Sequence, residues 1–492
     1  MILNGSAVPD GTTFDADVCV VGAGAAGLTL ALDLTRRGLK VILVESGGLQ
    51  FHKRSHDLLD IELSGQSTEA LINGTRERFF GGTTNHWGGV CRALGAFEFE
   101  PHSWMPHSGW PITRADLEPY YTLAAQLLGL PEVERVYDAQ ALGVADHPRL
   151  VGESETAVES TIWRRIPVEH LRMGQWRLKE VETSQLLTCI LDTSIVEIHP
   201  DRSRERISSL EGRTFDKRTL HFRARDYVLC AGAIENPRLL LASNSVVAAG
   251  LGNEHDLVGR FFMDHPATRL GLLLTNPLEE RAQEDILNDS ELVGWTTTPL
   301  AREQFKLQGF MAWLWPGEER PYLPHQLAMN KLVHSPSSAA ETAASTMWIA
   351  VNWEQAPNPD SRVTLSDKKD IFGLRVPALH WDLLPQDLAS VRKSSELLAL
   401  AVARSGRGRI NMDQISKPPL TMGGGHQMGT TRMSNDPKQG VTDANGRVHS
   451  LENLFIGGSS LFPTGGWEHP TFTIVTLALR QADYLAARAK SG

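Results

Sequence analysis

The sequence predicts a mixed α/β fold, in which a Rossmann-type dinucleotide-binding domain is left and re-entered by the chain and is interleaved with a second domain. Three observations predict it. The chain has 492 residues, more than a single hydrophobic core usually serves. Near the N-terminus an apolar strand, a glycine turn, a helix and a second strand follow one another, which is the order of a βαβ unit. Strand, turn and helix patterns return after residue 183 and are lost again over 271–417. The expected boundaries are 1–100, 183–270 and 418–492 for the nucleotide domain, and 101–182 and 271–417 for the other.

Residues 17–45 read DVCVVGAGAAGLTLALDLTRRGLKVILVE. DVCVV and KVILV are β-branched runs, and Leu28, Leu30, Leu32 and Leu34 fall in the helix between them. Gly22, Gly24 and Gly27 form GxGxxG. The first glycine permits a tight turn, the second lets backbone approach a pyrophosphate, and the third lets the helix pack closely, while the helix N-terminus supplies amide donors and a positive dipole. Glu45 ends the second strand; a carboxylate there can accept from both ribose hydroxyls and would repel a 2′-phosphate. GxGxxG alone would be a weak signal, but strand, helix and acid together make a dinucleotide site.

The β/α alternation that an NAD domain would continue breaks into loops over 46–100. Within them GGTTNHWGG, residues 81–89, is small enough for backbone to pass close to a flat ligand, with His86 and Trp87 as the bulky exceptions. Residues 101–182 carry Trp104, Trp110, Trp163 and Trp176 without a clear period and read as an inserted region. Cys189 to Ile198, CILDTSIVEI, alternates as one strand. From Asp226, DYVLCAGAIENPRLLLAS gives an apolar strand, a small-residue turn at Ala231 to Ala233, and a helix with Glu235 and Pro237 expected in its first turn. Residues 271–417 lose the rhythm again, with Trp295, Trp313, Trp315, Trp348, Trp353 and Trp381, and include an acidic stretch from Glu279 to Glu291 that reads as a solvated loop.

Composition excludes several classes. Hydrophobic content of 41% and charged content of 22% are those of a soluble globular protein. A formal net charge of -10, without a Lys/Arg cluster, argues against a nucleic-acid partner. Neither a signal peptide nor a long uncharged apolar run is evident, so no membrane partner is expected and the chain reads as cytoplasmic. Cys19, Cys91, Cys189 and Cys230 are far apart, without CxxC, and read as buried thiols. With no HExxH and no other metal-ligand spacing, no metal site is expected.

The stretch from Gly423 to Thr473 holds His426 and His469, each in a segment rich in Gly, Pro and Thr. The two imidazoles are expected to face one substrate hydroxyl. Oxidation of an alcohol needs a group that takes the hydroxyl proton as hydride leaves carbon, and a donor that steadies the oxygen; imidazole serves either need near neutral pH. His265, in MDHP, reads as a satisfied structural histidine at a turn, outside the site.

These motifs, namely VVGAGAAGLTLA with Glu45, GGTTNHWGG, VLCAGAIENPRLLLAS, DLVGRFFMDHP, HQMGT, NLFIGGSSLFPT and HPTFTIVTLALRQADYL, occur in an order that resembles the glucose-methanol-choline (GMC) flavin oxidoreductases over nearly the whole chain. The style is closest to pyranose oxidase and to bacterial members that oxidise sugars or aminosugars. The resemblance implies FAD, a p-hydroxybenzoate-hydroxylase-like architecture with a β-sheet substrate domain, and oxidation of a primary or secondary alcohol of a sugar, aminosugar or glycoside, with electrons passing to oxygen or another acceptor. It implies that Gly22, Gly24, Ala25, Gly27, Glu45 and Ser46 hold the adenosine diphosphate part, with Val196 near the adenine. Gly82, Thr83, Asn85 and His86 would lie along the isoalloxazine, Ala231 and Gly232 along the nucleotide, Gly458 and Ser459 at the pyrophosphate, and Pro470 and Thr471 near the pyrimidine edge. His86 falls where pyranose oxidase carries a histidine bonded to the flavin 8α-methyl, so covalent and noncovalent attachment both stand. His426 would be the general base and His469, where many relatives have Asn, its orienting partner. Two alternatives remain: a lyase that uses the same histidines without net redox, and an oxidase of a non-sugar alcohol, aromatic or aliphatic.

Overall fold

The computed structural model describes residues 1–66, 72, 74–130, 151–152, 155–275, 291–315, 346–406, 408–411 and 422–491. They form two eight-stranded sheets and a third of three strands. The first sheet has a parallel centre in the order Ile2–Asn4, Leu187–Leu191, Val41–Val44, Thr13–Val21, Thr219–Leu229, with Leu454–Ile456 beside the last of these. Ile207–Arg213 and Ser194–Pro200 extend it antiparallel. Val18, Cys19 and Val20 are fully buried, as expected for a parallel strand covered on both faces. The helix Ala25–Arg36 starts directly from the glycine turn and packs against both the sheet and the C-terminal helix Thr471–Ser491. That double cover buries Leu28, Leu30, Ala31 and Leu34 together, so the helix lacks a solvent stripe through its centre.

The structure differs from expectation at two local points. CILDTSIVEI is two strands, Leu187–Leu191 and Ser194–Pro200. Between them Asp192 takes a left-handed φ of 53°, and the chain leaves its parallel place beside Val41–Val44 for an antiparallel place beside Ile207–Arg213. The break is two residues long, so the inside-outside alternation stays in phase across it and periodicity does not reveal it. Pro237 lies inside the helix Gly232–Ala242 rather than in its first turn. Proline there cannot donate to the carbonyl four residues back. The Thr430 hydroxyl donates to that Ala233 oxygen instead, at 2.6 Å, tying this helix to the C-terminal segment.

The second sheet is antiparallel throughout, in the order Gly408–Asn411, Pro266–Thr275, Thr346–Trp353, Phe310–Trp315, Glu291–Thr297, Val158–Arg165, Val90–Cys91, with Met422–Gly423 beside the start of Pro266–Thr275. Its strands alternate. Ile349, Val351, Trp353, Phe310 and Ala312 join a core with Leu397, Leu398 and Ala401 of the helix Pro385–Arg404, whereas Ala350, Asn352, Met311 and Trp313 line a cavity. The described residues of 101–182 serve both bodies. Val158–Arg165 is a strand of the second sheet, while the helices Tyr121–Leu128 and Met173–Thr183 pack on the C-terminal helix and on Ala25–Arg36 respectively.

All four cysteines are free and buried, and burial pushes the Cys230 thiol up to about 12. Among the described residues no helix is long and apolar enough to cross a membrane, and no group of His, Cys, Asp and Glu could hold a metal ion. The acidic stretch 279–291 lies outside the described residues except for Glu291, which pairs with Arg164.

Candidate active site

The parallel strands of the first sheet end on one cavity of about 1220 Å³. Gly22, Glu45, Ala231 and Gly458 each follow the C-terminal end of such a strand and line it, the position where open α/β sheets bind ligands. Gly22 has φ 99° and lies so close to the next strand that a Cβ would sit 2.7 Å from the Cys230 carbonyl oxygen. Gly27 does not line the cavity; a Cβ there would lie 1.9 Å from the Gly22 carbonyl oxygen, so its role is the close packing of helix on turn. Gly24 caps the helix Ala25–Arg36 without any side-chain hydrogen bond to the first turn, leaving those amides for a ligand. A Cβ on Gly24 or Gly232 would meet no protein atom within 4 Å, so both present bare backbone to the cavity.

The Glu45 carboxylate is held in place by its neighbours. Its Oε2 accepts from the Ala23 amide at 2.8 Å and its Oε1 from the Gly47 amide at 2.9 Å. Ala25, Ser46 and Val196 line the cavity beside it. Further along the wall are Gly82, Thr83, His86, Gly232, Ser459, Pro470 and Thr471. Bare backbone, an uncapped helix start and a fixed acid fit the FAD that the motifs imply. Asn85 is the exception. Its amide donates to the Phe80 and Gly82 carbonyls at 3.0 and 2.9 Å and does not line the cavity, so it braces the turn Gly82–Asn85 from within rather than lying along a flavin. His86 Nδ1 is 2.9 Å from Glu77 Oε1.

The two histidine segments run side by side. The amides of Gly429, Thr431 and Met433 donate to the carbonyls of Ser459, Ser460 and Leu461 at 3.1, 2.9 and 2.8 Å, and the Ser459 hydroxyl donates to the Gln427 carbonyl at 2.6 Å. This brings His426 and His469 together on the cavity wall, with ring centroids 4.9 Å apart and planes at 79°. The turn before His469 is fastened from behind, where Glu354 Oε1 accepts from the Gly466 amide at 2.9 Å and the Trp110 indole donates to the Thr464 hydroxyl at 2.9 Å. Glu354 shares the buried Arg302 with Glu98. Burial, reinforced by the Glu98 charge, pushes Glu354 up to about 7 and Glu468 up to about 8.

His265 does not line the cavity and both its ring nitrogens are satisfied, as expected of a structural histidine, but it touches His426, which does line it. Its Nδ1 is 2.9 Å from His426 Nδ1 and its Nε2 is 2.9 Å from the Gly466 carbonyl oxygen. The preceding Asp264 binds both segments, its Oδ1 accepting the backbone N–H of His265 at 2.7 Å and of His426 at 2.8 Å. MDHP carried the residue type, but a contact across 161 positions has no periodic signature. Two further cavity residues were not singled out by sequence. One is Arg165. The other is Asn352, whose Oδ1 is buried without a hydrogen-bond partner among the described residues; strand alternation places it on the cavity face once Trp353 is known to point away.

All three imidazoles are held neutral near pH 7. Burial, then the repulsion that a charged His426 would meet from a charged His469 or His265, pushes His426 well below its ordinary value. Burial, then His265 and Arg165, lowers His469 to about 3, and burial lowers His265 to about 4. A histidine with a depressed native pKa leaves the unfolded chain as the better proton binder, so its contribution is fully present above the ordinary pKa and is lost as pH falls. For His469 the loss begins near the ordinary value of 6.5 and continues toward about 3. His469→Asn, which cannot titrate, is expected to lose about 2 kcal/mol less stability than the parent between about pH 7.5 and pH 5. Denaturant unfolding at a series of pH values checks it, and parallel curves would show that His469 is not desolvated.

The GMC oxidoreductase model matches residues 357–478, and the FAD dependent oxidoreductase model matches residues 17–245. The 6'''-hydroxyparomomycin C oxidase of Streptomyces lividus is 30% identical over 96% of this chain and 91% of its own. The large subunit of fructose dehydrogenase from Gluconobacter japonicus is 24% identical over 98% of this chain and 99% of its own. Among solved structures, pyridoxine 4-oxidase from Mesorbium loti matches with a TM-score of 0.59 at 19% identity, covering 95% of this chain and 98% of that one, a likeness of fold.

Proposed function

Because this chain belongs to the GMC oxidoreductase family, we propose that it oxidises a hydroxyl of a sugar, aminosugar or glycoside to the aldehyde or ketone. It is an FAD-dependent oxidoreductase acting on CH–OH groups. The observation that carries the reading is that His426 and His469 face each other on the wall of the same cavity that the dinucleotide turn lines. The carbohydrate class is supported by the names of two relatives matched along their length and by the polar side chains of Asn352, Thr75 and Gln427 in the cavity wall. The same names favour net redox chemistry over a lyase.

FAD, when bound, accepts the hydride; the chain's own residues handle the proton and the oxygen. His426, neutral and with Nδ1 directed at His265, offers Nε2 to the hydroxyl proton. His469 Nδ1 is buried without a partner among the described residues. An unpartnered buried acceptor is tolerated more often than an unpartnered N–H, which puts the His469 proton on Nε2 as a donor to the substrate oxygen. The second sheet supplies the substrate side through Met311, Trp313 and Asn352. Reduced cofactor would pass its electrons to oxygen or another acceptor. Turnover assays with oxygen and with an artificial acceptor, across monosaccharides, glycosides, aminoglycosides and aromatic alcohols, test the substrate class. A carbonyl product from the carbohydrate group is expected, and preference for the aromatic alcohols would overturn it.

His86 lies on the cavity wall with Nδ1 2.9 Å from Glu77 Oε1, and the resemblance to pyranose oxidase assigns it the bond to the flavin 8α-methyl. Acid precipitation of the FAD-loaded protein is expected to leave the yellow colour in the pellet. A colourless pellet under a yellow supernatant would make His86 a noncovalent neighbour of the ring.

A further inference from the structure

The hydrogen bonds around His265 decide where the proton of its neighbour sits. A carbonyl oxygen only accepts, so the 2.9 Å contact of His265 Nε2 with Gly466 O requires a proton on Nε2. In a neutral imidazole the other nitrogen is then the acceptor. The 2.9 Å contact between the two Nδ1 atoms holds one proton, and it must belong to His426. His426 is thereby fixed as the Nδ1–H tautomer with its lone pair on Nε2, and Nε2 makes no hydrogen bond to the described residues. Gly466 is itself immobilised, because Glu354 accepts its amide at 2.9 Å. Asp264 Oδ1, at 2.7 and 2.8 Å from the two backbone amides, sets the spacing of the rings.

We propose that His265 is a positioning residue that selects the base-competent tautomer of His426. This rests on His426 being the base. Left alone, a neutral histidine can carry its proton on either nitrogen, and the tautomer present is set by the partner of the other nitrogen; with the proton on Nε2, His426 could only donate to the substrate hydroxyl. Once Nε2 has taken the hydroxyl proton, the imidazolium keeps its Nδ1–H on the His265 lone pair, so the same contact steadies the charge. The groups facing His265 are His426 from the segment after Met422–Gly423, His469 and the Gly466 carbonyl from the C-terminal turn, and Asp264 on its own strand entry. No cation among them competes for the His265 lone pair.

The test has two readouts on the FAD-loaded enzyme. In histidine-labelled protein, nitrogen NMR near neutral pH is expected to show His426 protonated at Nδ1 and bare at Nε2, with substrate absent. The opposite tautomer would overturn the proposal whatever the enzyme oxidises. Second, His265→Phe keeps a ring but removes the acceptor, whereas His265→Asn places an amide oxygen near the lost Nδ1. His265→Phe is expected to lower the limiting anaerobic rate of flavin reduction by about 100-fold with little change in the substrate concentration for half-saturation, and His265→Asn to recover most of it. Equal rates in parent and Phe variant, or equal impairment of both variants with FAD retained, would reduce His265 to packing. If the parent itself is not reduced by any alcohol, the proposed function fails while the tautomer readout still stands.

Discussion

His426→Ala is expected to bind FAD and to lose nearly all substrate-driven flavin reduction, by about 100- to 10,000-fold, the usual contribution of a positioned general base. The nucleotide end of the cavity is built by Gly22, Glu45, Ala231 and Gly458 on strand ends, none of which leans on the His426 ring. FAD content should therefore survive. The neighbouring imidazoles are poor replacements, since His265 Nε2 donates to the Gly466 carbonyl and His469 is lowered to about 3 by burial. Substitution at His469 separates the two roles. His469→Asn keeps a donor and should be milder than His469→Ala. Rapid-mixing anaerobic reduction measures all three, and normal reduction in His426→Ala would remove it as the base.

Gly27→Ala is expected to weaken FAD binding strongly through geometry alone. The new Cβ would sit 1.9 Å from the Gly22 carbonyl oxygen and 3.3 Å from the Cys230 Cβ, well inside van der Waals contact with backbone, so the helix must lift from the turn. Overpacking of a rigid site costs about 1–3 kcal/mol, and here the strain falls on the amides that face the cavity, weakening FAD by about 10- to 100-fold or more. Gly24→Ala is the control. Its Cβ would meet no protein atom within 4 Å, so the apoprotein should melt as the parent does while the methyl group obstructs the ligand. FAD content and thermal unfolding of both proteins distinguish steric loss of the fold from steric loss of the site. Full FAD in Gly27→Ala would contradict the packing account.

The nucleotide half was legible because its signal is local. GxGxxG between an apolar strand and a helix encodes turn, approach and packing within a few residues, and Glu45 follows at the end of the next strand. What escaped was of two kinds. Asn85 occupies a ligand-rich segment but spends its amide on the Phe80 and Gly82 carbonyls, a choice made by the local turn and invisible to motif. His265 shows the reverse, a residue read as structural whose partner lies 161 positions away. Asn352 and Arg165 were hidden for a related reason. Their strands alternate in a region where tryptophans occur on both faces, as with cavity-lining Trp313 and core Trp353, so bulk and polarity alone did not say which side was the pocket. The split of CILDTSIVEI into two strands was masked by an in-phase break. Apart from Asn85, long-range pairing decides these, and single-sequence periodicity does not carry it.

The central claim is that neutral His426 takes a hydroxyl proton while hydride leaves the same alcohol for FAD. Anaerobic mixing of the FAD-loaded protein with a polyhydroxy alcohol panel, each member also deuterated at the carbinol carbon, tests it most directly. The account predicts that at least one carbohydrate bleaches the oxidised flavin band, several-fold more slowly when deuterated. A flavin that stays oxidised with every alcohol, although dithionite reduces it, would contradict the account.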